Sequence, residues 1–225
     1  MAQINEISQH KRINDTLTGP VERTALAWLA ERSPAWITPD VLTGIGVVAS
    51  LLCFVGYWLS GFNPLWLFLV NVGLIFNWYG DSLDGTLARY RKIERPKFGF
   101  YIDHTVDSVA EFLVIIGIGL SPYMDLTIAA FALIGYLLMS VHVYVLTAVD
   151  GFFKISYAKV GPTELRIIVA IVNTAIFFLN DWFLADLAWG LKPFDIVGIG
   201  LAVGLSLVFL VSSAKQGARL AAQGK

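Results

Sequence analysis

Six apolar runs, each about 20 residues long, follow one another between residues 41 and 213. A run of that length, wound as a helix, matches the ~30 Å hydrocarbon core of a bilayer. The expected spans are 41–60, 64–89, 98–120, 125–149, 162–180 and 194–213. Turn chemistry separates them: SGFNP at 60–64, SPYMD at 121–125, GP at 161–162 and KP at 192–193. Composition agrees, with 56% of residues hydrophobic and 15% charged, where a soluble domain carries about a quarter. No repeat or low-complexity tract is visible. The expected fold is an all-α integral membrane protein: one six-transmembrane helix bundle preceded by a short interfacial amphipathic helix.

That short helix is read from GPVERTALAWLAERSP. Pro20 suits a first helical turn and Ser33-Pro34 ends it. Val21, Ala25, Trp28 and Leu29 share one face, with Glu22, Arg23, Glu31 and Arg32 mainly elsewhere. Too short to span, it is expected to lie in the membrane interface, with a soluble packing helix as the alternative. Residues 1–40 then form a cytoplasmic N-terminal segment, 41–213 the transmembrane catalytic domain and 214–225 a cytoplasmic tail. The polar opening stretch is expected to carry no cleavable signal peptide. Cys53 is the only cysteine, so no disulfide forms within the chain. No nucleic-acid partner is expected.

Fifteen of the sixteen Lys and Arg residues fall in the N-terminal segment, the second and fourth loops with their margins, and the tail. The first and third loops have none and the fifth has only Lys192. By the positive-inside rule both termini, and the loops at 90–97 and 150–161, lie on the cytoplasmic side of the inner (cytoplasmic) membrane.

Against this apolar background the stretch GDSLDGTLARYRKIERPKFGFYIDHTVDSVAEF, residues 80–112, is anomalous. Asp81, Asp84 and Ala88 recur at i, i+3 and i+7 on the second span. Gly99, Asp103 and Asp107 recur at i, i+4 and i+8 on the third. Each set makes one stripe, and if the stripes face each other four carboxylates converge. Even one acid at mid-membrane costs ~2.5–3.5 kcal/mol on insertion scales, so four demand compensation. Oxygen ligands suit hard divalent cations, Mg²⁺ first, with Mn²⁺ or Ca²⁺ as alternatives. Two such ions ~3.5–4 Å apart can clamp a phosphoryl group. The planar fork of Arg89, one turn beyond Asp84-Gly85, matches phosphate oxygens. Gly85 and Gly99 leave room for close approach. The residues alone point to a metal-dependent phosphoryl-transfer site at the cytoplasmic surface.

DSLDGTLAR followed by GFYIDHTVD resembles the signature of the CDP-alcohol phosphotransferases, D-x2-D-G-x2-A-R-x8-G-x3-D-x3-D. All eight fixed residues are present, and the spacer from Tyr90 to Phe98 is one residue longer than the pattern. TPDVLT at 38–43 is similar to a looser element that the family often has at its first span. The resemblance implies a CDP-linked substrate, usually CDP-diacylglycerol, and an acceptor hydroxyl that attacks the phosphorus nearer the lipid, with CMP leaving. It implies two divalent cations, Mg²⁺ or Mn²⁺, on Asp81, Asp84, Asp103 and Asp107, with Asp107 as general base. It implies a nucleotide pocket formed by Asp81, Asp84, Gly85, Ala88, Arg89 and Gly99, and a homodimer.

Other residues stay open. Lys154, Lys159 and Arg166, around GPTE at 161–164, read as ligands of a lipid or acceptor phosphate, or as a basic loop touching anionic lipid. Glu164, with aromatics such as Tyr157, reads as a site for an amino-alcohol cation. In that case the donor is a CDP-alcohol of choline or ethanolamine type and the acceptor a lipid hydroxyl. His104 reads as acceptor-side or as a plain interfacial histidine. Glu111 reads as a partner standing behind Asp107 or as a cross-bundle hydrogen bond, and His142 as structural. Gly200 and Gly204 read as helix-packing residues. An ion- or proton-coupled transporter is the remote alternative, since intramembrane acids often mark ion paths.

Overall fold

The computed structural model describes residues 16–150, 161–187 and 189–223. Its long elements are all helices: α1 (Gly19–Arg32), α2 (Pro39–Leu59), α3 (Leu67–Arg91), α4 (Pro96–Leu120), α5 (Leu126–Asp150), α6 (Pro162–Phe178), the short α7 (Asn180–Leu184) and α8 (Pro193–Gln223). Four of them begin on a proline, whose fixed φ and missing N–H suit a first turn. Thr38 caps α2 by accepting the N–H of Val41 at 3.2 Å. Lys92, in the left-handed region at φ 56°, closes α3.

Among the described residues three helices, α2, α5 and α8, are long and apolar enough to cross a membrane. The other expected spans are present as helices, but α3 and α4 carry the aspartates and α6, with 17 residues, carries Glu164 and Arg166. Polar residues lower the apolar character of α3 and α4, whereas α6 is simply short. The last helix runs past the expected end at 213 to Gln223. Nothing in SSAKQGARLAAQ breaks a helix except a tolerated Gly217. Arg219 and Gln216 there reach back to the carboxylate of Asp150 on α5.

α2 is the centre of the bundle. It packs along α3 through small residues: a Cβ on Gly80 would lie 2.5 Å from the Leu42 carbonyl oxygen, and one on Gly73 would lie 2.6 Å from Cys53 Sγ. α2 also packs against α4, whereas α3 and α4 barely touch. That leaves a gap between the two aspartate-bearing helices, floored by α2. At the opposite end, Asp195 accepts the backbone N–H of Asp125 at 2.7 Å and of Lys192 at 2.9 Å, joining the starts of α5 and α8.

α1 docks on the bundle through Leu26 and Ala30, against Leu83 and Leu87 of α3. The face expected to be apolar is divided: Leu29 turns partly inward, while Val21 and Trp28 stand exposed. Arg91 fixes the link from α1 to α2 by donating to the carbonyls of Ser33, Pro34 and Ile37. Gly200 and Gly204 have open space around them within the chain.

Candidate active site

The two stripes do face each other. Asp81 and Asp84 of α3, and Asp103 and Asp107 of α4, line one cavity together with Thr43, Gly46, Asn77, Val106 and Ala110. The space they enclose is about 10 Å³, the size of a water or an ion rather than of a nucleotide. Of the expected nucleotide residues, Asp81 and Asp84 line this cavity, whereas Gly85, Ala88, Arg89 and Gly99 are not part of its lining. A Cβ on Gly85 would meet only the Arg89 guanidinium, at 3.4 Å, and one on Gly99 would meet nothing. Arg89 is exposed and donates to Thr86 Oγ1 at 3.2 Å. Ala88, between them, is half-buried.

The site is held by hydrogen bonds from the surrounding helices. Asp84 is buried and accepts the Thr43 hydroxyl at 2.8 Å. Asp81 accepts Nη2 of Arg166, from α6, at 2.6 Å. Arg166 Nε donates to Asn77 Oδ1 at 2.8 Å, and the Asn77 amide donates to the Gly46 carbonyl and Ser50 Oγ. Arg166 Nη1 is buried with no hydrogen-bond partner among the described residues. Glu111, one turn beyond Asp107 on α4, stands close to Tyr136 of α5.

Thr43, Gly46 and Asn77 were not among the expected site residues. Thr43 closes the TPDVLT element, and Asn77 precedes Asp81 by one helical turn on the same stripe, which is the signal that marks it. Glu164 has another occupation: its carboxylate accepts the Thr18 N–H at 2.8 Å, the Thr18 hydroxyl at 2.7 Å and the Gly161 N–H at 2.9 Å. Glu22 likewise accepts Trp78 Nε1 and the Thr163 hydroxyl. His104 lies against Phe100 and Tyr144, with ring centroids 4.2 Å and 4.9 Å away, and is not part of the cavity lining. Lys154, Tyr157 and Lys159 lie outside the described residues. His142 pairs with Ser213 of α8 at 3.1 Å.

Four carboxylates and a hydroxyl around one small space are, in kind, the donor set of a hard divalent cation. As they stand, no three His, Cys, Asp or Glu side chains among the described residues are gathered closely enough to hold an ion. Arg166 holds one oxygen of Asp81. The residues therefore fit the group in chemistry, with Asp81 engaged elsewhere.

A family model described as CDP-alcohol phosphatidyltransferase matches residues 36–211. Among curated proteins, the chain is similar to cholinephosphotransferase 1 of Danio rerio, 25% identical over 211 residues that cover 88% of this chain and 54% of that protein. It is similar to archaetidylinositol phosphate synthase of Pyrococcus horikoshii, 29% identical over 154 residues covering 68% of this chain and 78% of that one. A third match is phosphatidylinositol phosphate synthase of Cutibacterium acnes, 34% identical over 91 residues, 38% of this chain and 39% of that protein. The chain thus spans little more than half the length of the cholinephosphotransferase it matches.

Proposed function

The chain belongs to the CDP-alcohol phosphatidyltransferase family, and on that premise we propose that it moves a phosphatidyl group from CDP-diacylglycerol to an alcohol hydroxyl, releasing CMP. The observation that carries the reading is the single cavity lined by Asp81, Asp84, Asp103 and Asp107, the four aspartates of the DSLDG and IDHTVD elements.

Asp81, Asp84, Asp103 and Asp107 would hold two divalent ions, Mg²⁺ by preference. Bound there, the ions would neutralise the pyrophosphate and the charge that develops on departing CMP. Asp107 takes the proton of the acceptor hydroxyl at a carboxylate oxygen. Thr43 keeps the Asp84 carboxylate turned toward the cavity. Gly85 and Gly99 leave room for the nucleotide, and Arg89 takes a diphosphate oxygen in its fork. Of the acceptor-side candidates among the described residues, Arg166 is bonded to a cavity aspartate, Asp81.

Helices α2, α3, α4, α5, α6 and α8 are read as the six spans. The site and both termini are read as cytoplasmic, on the support of the basic residues. The exposed Val21 and Trp28 support α1 lying in the interface. A homodimer is the expected assembly, and a monomeric mass in detergent would oppose it.

A second reading has a specific observation behind it. The likeness to cholinephosphotransferase covers 88% of this chain, which favours a CDP-amino-alcohol donor and a lipid hydroxyl as acceptor. The first reading is preferred because Glu164, the carboxylate that such a cation would use, is taken up by Thr18 and Gly161.

The test is CMP release by purified protein with Mg²⁺. CDP-diacylglycerol is offered with a panel of alcohols, then CDP-choline and CDP-ethanolamine with diacylglycerol. Release in the first set alone, abolished by EDTA, is the expected result. Release in the second set alone transfers the assignment to the second reading. Arg89→Ala should weaken CDP binding about tenfold or more, the loss of one charge-assisted contact. Unchanged affinity in calorimetry would remove Arg89 from the pocket.

A further inference from the structure

We propose that Arg166 is a built-in counter-cation of the metal-free site, which a divalent ion replaces at Asp81; this rests on reading the four aspartates as metal ligands. Four ionised carboxylates lining one small cavity repel one another, and a neighbouring cation offsets that repulsion. Among the described residues, the cation in contact with them is Arg166, through Nη2 and Asp81 Oδ2 at 2.6 Å. The pair is largely withdrawn from solvent, with side-chain exposures of 17% for Arg166 and 30% for Asp81, so water screens it poorly.

The guanidinium is aimed rather than loosely placed. Nε is bound to Asn77 Oδ1 at 2.8 Å, and the Asn77 amide is anchored on the Gly46 carbonyl and Ser50 Oγ, at 3.2 and 3.1 Å. Asn77 also lines the cavity, so a single side chain sets the distance between the arginine and the carboxylates. Yet the arrangement is incomplete. Nη1 is buried without a partner among the described residues, and a buried unpaired donor is costly. Such a state is readily exchanged for one in which the carboxylate has a better cation and the guanidinium another acceptor.

A divalent ion on Asp81 would stand beside the guanidinium that now holds Oδ2 of the same carboxylate. Two cations cannot share that carboxylate closely without strong repulsion. Metal entry and departure of the guanidinium are therefore one exchange. Arg166 stabilises the protein before loading and opposes the metal during it. A residue that merely packs α6 against α3 would do the first in both states and the second in neither.

The experiment uses the full chain in detergent, with Mn²⁺ as the probe. Free Mn²⁺ is counted by electron paramagnetic resonance, and thermal unfolding is followed in EDTA and in saturating Mn²⁺. Arg166→Gln should bind Mn²⁺ about tenfold more tightly than wild type, as expected when a competing charge-assisted hydrogen bond is removed. Its unfolding midpoint should fall in EDTA and recover most of that loss in Mn²⁺. Unchanged or weaker Mn²⁺ binding, or an equal loss of stability in both conditions, overturns the proposal. If Arg166→Gln does not fold, Arg166→Lys, which keeps the charge but loses the fork, decides: tighter Mn²⁺ binding than wild type supports the exchange, and equal or weaker binding overturns it. Absence of Mn²⁺ binding in wild type and variants alike would instead overturn the reading of the aspartates as metal ligands.

Discussion

Asp107→Asn should cut CMP release by about a thousandfold, within the 10²–10⁴ range that a positioned general base contributes. The asparagine keeps the size of the side chain and one oxygen facing the cavity, but it cannot take up the acceptor proton. Packing should be little affected, because Asp107 lies on the cavity-facing stripe of α4. CDP binding, measured by calorimetry with Mg²⁺, should survive. Normal turnover would remove Asp107 as the base. Loss of CDP binding together with turnover would make it a metal holder whose proton-accepting role lies elsewhere. The same substitution at Asp84 should weaken metal binding as well as turnover, because it alters a carboxylate that Thr43 holds at the cavity.

The second large effect arises from packing rather than chemistry. Gly80→Ala places a methyl 2.5 Å from the Leu42 carbonyl oxygen and 2.6 Å from the Gly46 nitrogen. Both are backbone atoms of α2 and neither can rotate away, so the helices must separate. Overpacking of this sort costs about 1–3 kcal/mol. The separation also falls where α2 floors the site, since Gly46 lines the cavity and accepts from Asn77. Turnover should drop along with the thermal midpoint. Gly44→Ala is the control: its Cβ would meet nothing within 4 Å, and it should unfold at the wild-type temperature. Equal behaviour of the two variants would deny the close α2–α3 crossing.

How much of this was legible beforehand varies with the physical scale of the signal. The helices were legible, because apolar runs and proline punctuation are local properties of the chain. The convergence of Asp81, Asp84, Asp103 and Asp107 was legible as two stripes, because helical period places each pair on a face. What the stripes face was not. That α2 sits between α3 and α4 and contributes Thr43 and Gly46 depends on which glycines nest against which backbone, a property of pairs far apart in sequence. Glu164 shows the limit most clearly. It reads in the sequence as a site for an amino-alcohol cation, yet its carboxylate is taken by Thr18, 146 residues away. Arg166, three-dimensionally, belongs to Asp81 and Asn77 rather than to the basic loop it follows. The end of α8 at Gln223 was missed for a simpler reason: apolar character stops near 213, and helix propensity does not.

The bonds of Glu164 and Glu22 have a mechanical meaning. Thr18 and Glu22 sit at the start of α1; Gly161, Thr163 and Glu164 sit at the start of α6. The two helix starts are riveted together, and Arg166 lies two residues beyond the rivet. Any force that lifts or tilts α1 is delivered to the first turn of α6 and so to the arginine at Asp81. The peripheral helix is a lever whose short arm ends in the aspartate cavity.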